Sequence, residues 1–160
     1  MKIHGEWEIS VIRQILIRST AGVFNREGTL AVFQETQEKA PIQAPWVGLT
    51  NAENWEMSGA ESLQLFPSMR EWAFAHQCQA LAVVVPSELK KKIHQTQTGI
   101  FSKDQVAYFT RLDAACEWLT QKGFRISPEE YPHAEFIRRT KPQTPDDLGG
   151  TPNVQSKVLL

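Results

Sequence analysis

The run Ala80-Leu81-Ala82-Val83-Val84-Val85 is the longest unbroken apolar stretch in the chain, and it limits the fold more than any other feature. A strand that alternates apolar and polar residues leaves one face to water. This run has no such face, so it predicts a strand covered on both sides. A sheet of that kind needs helices on its faces, and the flanking sequence supplies helical patterns before and after the run.

Trp7, Ile9 and Val11 alternate with Glu8 and Ser10, the period of a half-buried strand. Ile15 to Arg18 reads as a second strand, joined to the first across the polar break Arg13-Gln14. Asn25 then fits the N-cap of a helix with Glu27 in its first turn, Leu30 and Phe33 on one side, and Pro41 as its stop. Pro45 to Leu49 is a short strand, followed by a loop through Asn54 and Trp55. From Ser58 the positions Leu63, Phe66, Met69, Trp72 and Ala73 suit a buried helical face, with a kink or restart expected at Pro67. After the apolar strand, Ser87 suits the cap of a short helix holding Leu89 and Ile93, with Lys90-Lys91-Lys92 on its outer face. Val106 to Thr110 forms the last strand. Leu112, Ala115, Cys116 and Leu119 define the last helix, with Thr110 and Asp113 as its start signature and Gly123 as its stop. The order is β-β-α-β-α-β-α-β-α. Strands separated by helices run parallel through right-handed crossovers, so the fold class is α/β, with a mixed, mostly parallel sheet packed by helices.

This domain covers residues 1–125. Residues 126–160 carry Pro128, Pro132, Pro142, Pro145 and Pro152 out of nine prolines in the chain, and read as an extended or disordered tail. Phe136-Ile137 and Val158-Leu159-Leu160 are its apolar points, able to dock on the same domain or to link a homodimer.

Composition narrows the function classes. A formal charge of -1 gives no basic footprint for nucleic acid. The longest apolar run falls far short of the about 20 residues that span a bilayer. Cys78 and Cys116 lie among apolar positions and read as buried thiols in a cytoplasmic protein. His4, His76, His94 and His133 show no metal-ligand spacing with the cysteines, and neither a glycine-rich phosphate loop nor a Gly-x-Ser-x-Gly elbow is present. The expectation is a protein without catalytic machinery and without a cofactor.

Parallel strands bring their strand-to-helix loops to a common edge. That edge is the expected binding surface, with Asn25, Asn54, Trp55 and Ser87 on it and Ser58 at the start of the adjoining helix. Ser58 with Glu61 forms a capping box, which accounts for the serine without any added chemistry.

Three stretches, "GVFNREG" at Gly22 to Gly28, "NWEMSGAESL" at Asn54 to Leu63 and "YFTRLDAACEWL" at Tyr108 to Leu119, together with the element order, resemble the STAS and SpoIIAA-like domains, in particular a bacterial branch. The resemblance spans about residues 5 to 124. It implies a regulatory module that binds a protein partner at the loop edge. In the anti-sigma-factor antagonist branch, a serine at the start of the helix after the third strand is phosphorylated, and Ser58 stands near that place. The local sequence departs from the branch pattern of Asp-Ser/Thr-Ser-Gly: here it is Glu56-Met57-Ser58-Gly59. A second reading is a carrier or sensor of a small apolar ligand, held between sheet and helices by Trp46, Phe66, Trp72 and Phe109.

Overall fold

A computed structural model of the chain describes residues 2–56, 62, 64–87 and 102–142. Five strands form one sheet in the order β1-β2-β3-β4-β5: β1 Glu6–Ile12, β2 Ile15–Val23, β3 Trp46–Glu56, β4 Cys78–Val84 and β5 Val106–Phe109. β1 and β2 are antiparallel; β2 to β5 run parallel. Among the described residues the helices are α1 Arg26–Lys39, α2 Phe66–Ala75, α3 Leu112–Gln121 and α4 Ala134–Thr140. The expected mixed, mostly parallel α/β sheet is what the chain forms.

Strand order equals chain order, so right-handed crossovers place α1 and α2 on the same face. There Leu16, Trp46, Leu81 and Val106 of the sheet meet Val32 of α1 and Ala73 of α2. On the opposite face Ile15, Ile17, Val47, Leu49, Ala80 and Ala82 meet Ala115, Cys116 and Leu119 of α3. α3 follows the last strand and has no crossover to complete, so it is free to cover that second face. β4 is therefore sheltered on both sides, as its unbroken apolar run requires.

Several local expectations change. β3 is much longer than Pro45 to Leu49 and carries Asn54 and Trp55 as strand residues, because its pairing with β2 continues past a bulge between Ser19 and Ala21. Of the kink or restart expected at Pro67, the restart is the one realised. Pro67 lies in the first turn of α2, where its missing N–H breaks no helical bond. α3 is capped at Arg111, not Thr110; Asp113 instead accepts from the Ala114 amide and from the Arg111 guanidinium. In α1 the buried face is Gly28, Thr29, Val32 and Thr36, while Leu30 and Phe33 are only half-buried. A Cβ on Gly28 would come within 2.1 Å of the His4 carbonyl oxygen, so only glycine lets the N-terminal segment lie against this helix. The short helix expected after Ser87, with its three lysines, lies outside the described residues.

The largest correction concerns the tail. Residues 126–142 do not extend away from the domain. Ile126, Tyr131 and Phe136 are buried, and α4 packs over β2 and β3 beside α3. The docking alternative for Phe136-Ile137 is the one realised. The hairpin turn helps hold this segment: Arg13 adopts φ 53°, and its guanidinium donates to both Glu130 carboxylate oxygens, at 3.0 and 3.2 Å. A non-glycine residue in the left-handed region costs about 1–2 kcal/mol, which that fork and a further bond to the Arg125 carbonyl help offset.

Asn25 caps α1 as expected, its side-chain oxygen accepting from Gly28 N at 2.8 Å. The same side chain also accepts from His4 N and donates to the Lys2 carbonyl. Asn25→Ala is expected to lower stability by about 1–2 kcal/mol, measured by urea unfolding. Hydrogen exchange at the His4 amide should speed up at the same time. Unchanged exchange there would mean the N-terminal segment is held by something else.

Candidate functional site

The rim at the carboxyl ends of β2 to β5 is where sequence reasoning placed a site, and its residues turn out to have separate tasks. Asn25 is committed to the cap and to the N-terminal segment. Asn54 is buried, and its Nδ2 donates to the Ile137 carbonyl at 2.8 Å and to Thr140 Oγ1 at 3.0 Å. It anchors α4 by filling orphan acceptors at the end of that helix. Trp55 is half-buried against Phe66, ring centroids 6.1 Å apart, and packs on the buried cluster of Ala52 and Val85. It plugs the core at the sheet edge. Ser87 is exposed. Ser58 and Glu61 lie outside the described residues.

Two exposed apolar side chains flank the cap at the start of α1. Val23, the last residue of β2, is 50% exposed, and Ile3 is 49% exposed. Because Lys2 and His4 are both tied to Asn25, Ile3 is held near the start of α1, and Val23 precedes that cap by two residues in the chain.

Beneath α1 and α2 the sheet carries a feature that strand-by-strand reading missed. Register aligns Arg18, Thr50, Val83 and Tyr108 in one row across β2 to β5. Arg18 Nε and Nη2 donate to Thr50 Oγ1 at 3.2 and 3.0 Å, and Nη1 donates to Thr36 Oγ1 of α1 at 3.0 Å. At the far end Arg70 of α2 donates to the Tyr108 hydroxyl at 2.7 Å. Burial first, and the nearby Arg70 charge second, bring Arg18 down to about 10. The only advance signal was a charged residue in the otherwise apolar stretch Ile15 to Arg18.

The other face holds a second polar cluster. His133 Nε2 bonds Ser10 Oγ and Nδ1 bonds Ser19 Oγ, both at 2.8 Å, and Ser19 also bonds the Tyr131 hydroxyl. A serine beside a histidine invites comparison with an acyl-transfer nucleophile. Ser19 is fully buried and His133 nearly so, and no described carboxylate bonds the imidazole, so the cluster has neither substrate access nor an orienting acid. Its bonds join the C-terminal segment to β1 and β2.

The four rings suggested for an apolar ligand do not share one gap. Trp46 is buried on the α1/α2 face with its indole N–H donating to the His76 carbonyl, whereas Phe109 packs against Trp118 on the opposite face. Trp72 is stacked on His76, centroids 4.5 Å apart. Cys78 and Cys116 are free and buried, and burial pushes their thiols up to about 12 and about 11, which leaves them protonated and unreactive at neutral pH. Among the described residues no group of histidine, cysteine and carboxylate side chains is placed to hold a metal ion, and no helix is long and apolar enough to cross a membrane.

No protein-family model and no curated protein matches the sequence. Among solved structures, the chain is similar to an uncharacterized protein of the DUF3478 family, with a SpoIIAA-like fold, from Shewanella loihica PV-4. The TM-score is 0.55 at 14% identity, over 74% of this chain and 98% of that one. At that identity the likeness concerns backbone architecture alone. This chain has a SpoIIAA-like fold.

Proposed function

We propose that the protein is a non-enzymatic regulatory module that docks a protein partner on the rim corner formed by Ile3, Val23 and the start of α1. The fold is of a type that suits regulatory domains. The observation that carries the reading is that Ile3 and Val23 are each about half exposed, on the two segments that Asn25 ties together. Single exposed hydrophobics need no explanation, but two on segments joined through one helix cap suit an apolar segment of a partner. Among the described residues, Ser19 and His133 are buried and bonded to each other, which supports binding over chemistry.

The reading is tested with the tagged full chain as bait in a lysate of its source cells, beside the double variant Ile3→Asp, Val23→Asp. Both positions face solvent, so the melting temperature should hold within a few degrees, as surface changes usually cost no more than about 0.5 kcal/mol. The wild-type chain is expected to retain a specific protein that the variant loses. Recovery of the same proteins by both baits, or of none by either, rejects docking at this corner.

A further inference from the structure

Among the described residues β1 is an edge strand, with β2 as its one neighbour in the sheet. The two-residue turn Arg13-Gln14 makes Ile12 and Ile15 a hydrogen-bonded pair, and such pairs alternate along the ladder. Ser10, Glu8 and Glu6 therefore bond β2, while the backbone N–H and C=O groups of Trp7, Ile9 and Val11 point away from it. A row of that kind is a template for another strand. Among the described residues, one hydrogen bond reaches the row, and it comes from α1: Lys39 Nζ donates to the Ile9 carbonyl at 3.3 Å.

Lys39 is held in that position. Glu35, one turn earlier in α1, accepts from Lys39 Nζ at 2.8 Å, and its other carboxylate oxygen accepts from the Trp7 indole N–H at 3.0 Å. The brace thus joins two residues of β1 to two of α1. The lysine side chain stays half exposed, so its charge lies at the open side of the strand. A lysine on an edge discourages strand addition.

The edge it guards is complementary to itself. Two copies of β1 placed antiparallel about a two-fold axis at Ile9 exchange both backbone bonds between their Ile9 residues. Val11, 39% exposed, then stands opposite Trp7 of the other copy, a β-branched side chain against an aromatic one. On the other face Glu8 meets Ser10 and Glu6 meets Ile12, so no like charges stand opposite each other. The Ile9 carbonyl is the acceptor this pairing needs at its centre, and Lys39 occupies it. The two Lys39 ammonium groups would also approach each other at the axis. We infer that the β1 edge is a pairing surface for a second copy of this chain, held closed by Lys39, and that removing the lysine charge opens it. The surface uses neither Ile3 nor Val23, so it stands apart from docking at that corner.

The test follows the full chain and Lys39→Met by sedimentation over one concentration series, with hydrogen exchange read at single amides. Methionine keeps an unbranched, helix-forming stem and drops the charge at an exposed site, so the fold should hold. The wild-type chain is expected to stay monomeric where Lys39→Met dimerises, a gain in association of more than about tenfold. Exchange at the Trp7, Ile9 and Val11 amides should slow in the dimer, while the Ser10 amide, bonded to β2 in either state, should change little. Adding Val11→Pro to Lys39→Met removes an outward N–H without breaking a bond to β2, and it should restore the monomer. Should Lys39→Met fail to fold, Lys39→Gln carries the same expectation. A folded Lys39 variant that associates no more tightly than the wild-type chain would overturn the inference. So would a dimer whose Trp7, Ile9 and Val11 amides still exchange freely, a Val11→Pro double variant that still dimerises, or a wild-type chain already protected at those three amides.

Discussion

A chain ending after Arg125 is expected to lose its cooperative unfolding transition. Removing the segment that follows strips Ile126, Tyr131 and Phe136 from the face of the sheet shared with α3. It also leaves Ser19 and Asn54, both buried, without their partners in that segment. Truncating one buried phenylalanine to alanine costs about 3–5 kcal/mol. Natural domains are stable by only about 5–15 kcal/mol in total. Loss of three buried anchors and of bonds to two buried polar side chains therefore reaches the whole of that margin. Circular dichroism during urea unfolding should show a sigmoid for the full chain and a broad, non-cooperative change for the shortened one. The single substitution Phe136→Ala, which removes one anchor and keeps every backbone bond, should lower stability by about 3–5 kcal/mol. A shortened chain that melts at the full-length midpoint would show that β1 to α3 is self-sufficient.

That segment is also where the sequence was hardest to read. Alternation of apolar runs with helical spacing located every described strand and three of the four described helices, because periodicity is a local property. Docking of residues 126–142 is not local. Its anchors, Ile126, Tyr131 and Phe136, are isolated residues separated by prolines, with no period to mark them, and their burial depends on a sheet face left open by α3. The prolines suggested a chain that cannot pack; Pro128 instead opens a short 3-10 turn that turns the chain back to the sheet. The same limit applies to the row below α1 and α2. Arg18, Thr50 and Tyr108 are far apart in sequence and become neighbours only through strand register, which one chain does not reveal. α1 shows a related effect. Leu30 and Phe33 looked like its inner face, yet Thr36 is turned inward to meet Arg18 and Gly28 to admit the His4 carbonyl. At the rim, Asn25 was legible because capping is a short-range motif, while the anchoring duty of Asn54 toward α4 was not.

Acidification is expected to weaken the fold through His133. The imidazole is 3% exposed, each ring nitrogen bonds a serine hydroxyl, and the Tyr131 ring stands edge-on at 5.6 Å. Burial holds its pKa below the ordinary histidine value of about 6.5, and Lys39 adds to that effect while Glu8 opposes it. The neutral ring suits its site because one nitrogen donates and the other accepts. Protonation makes both nitrogens donors, so both serines must accept, and the hydroxyl of Ser19 must turn its hydrogen toward Tyr131. The unfolded chain binds this proton more readily than the folded one, so stability rises with pH across the interval between the two values. The contribution is complete above about pH 6.5 and is lost as the pH falls from there through the folded value. One proton limits the slope to about 1.4 kcal/mol per pH unit. Urea midpoints recorded between pH 8 and pH 5 should fall on the acid side, and His133→Gln should flatten that fall while lowering stability at pH 8. An NMR titration should find the His133 ring taking up its proton at a lower pH in the folded chain than in the urea-unfolded one. A wild-type midpoint that stays level down to pH 5, or a glutamine variant with the same slope, would mean that the ring accepts its proton at no cost and that the serine pair tolerates either charge state.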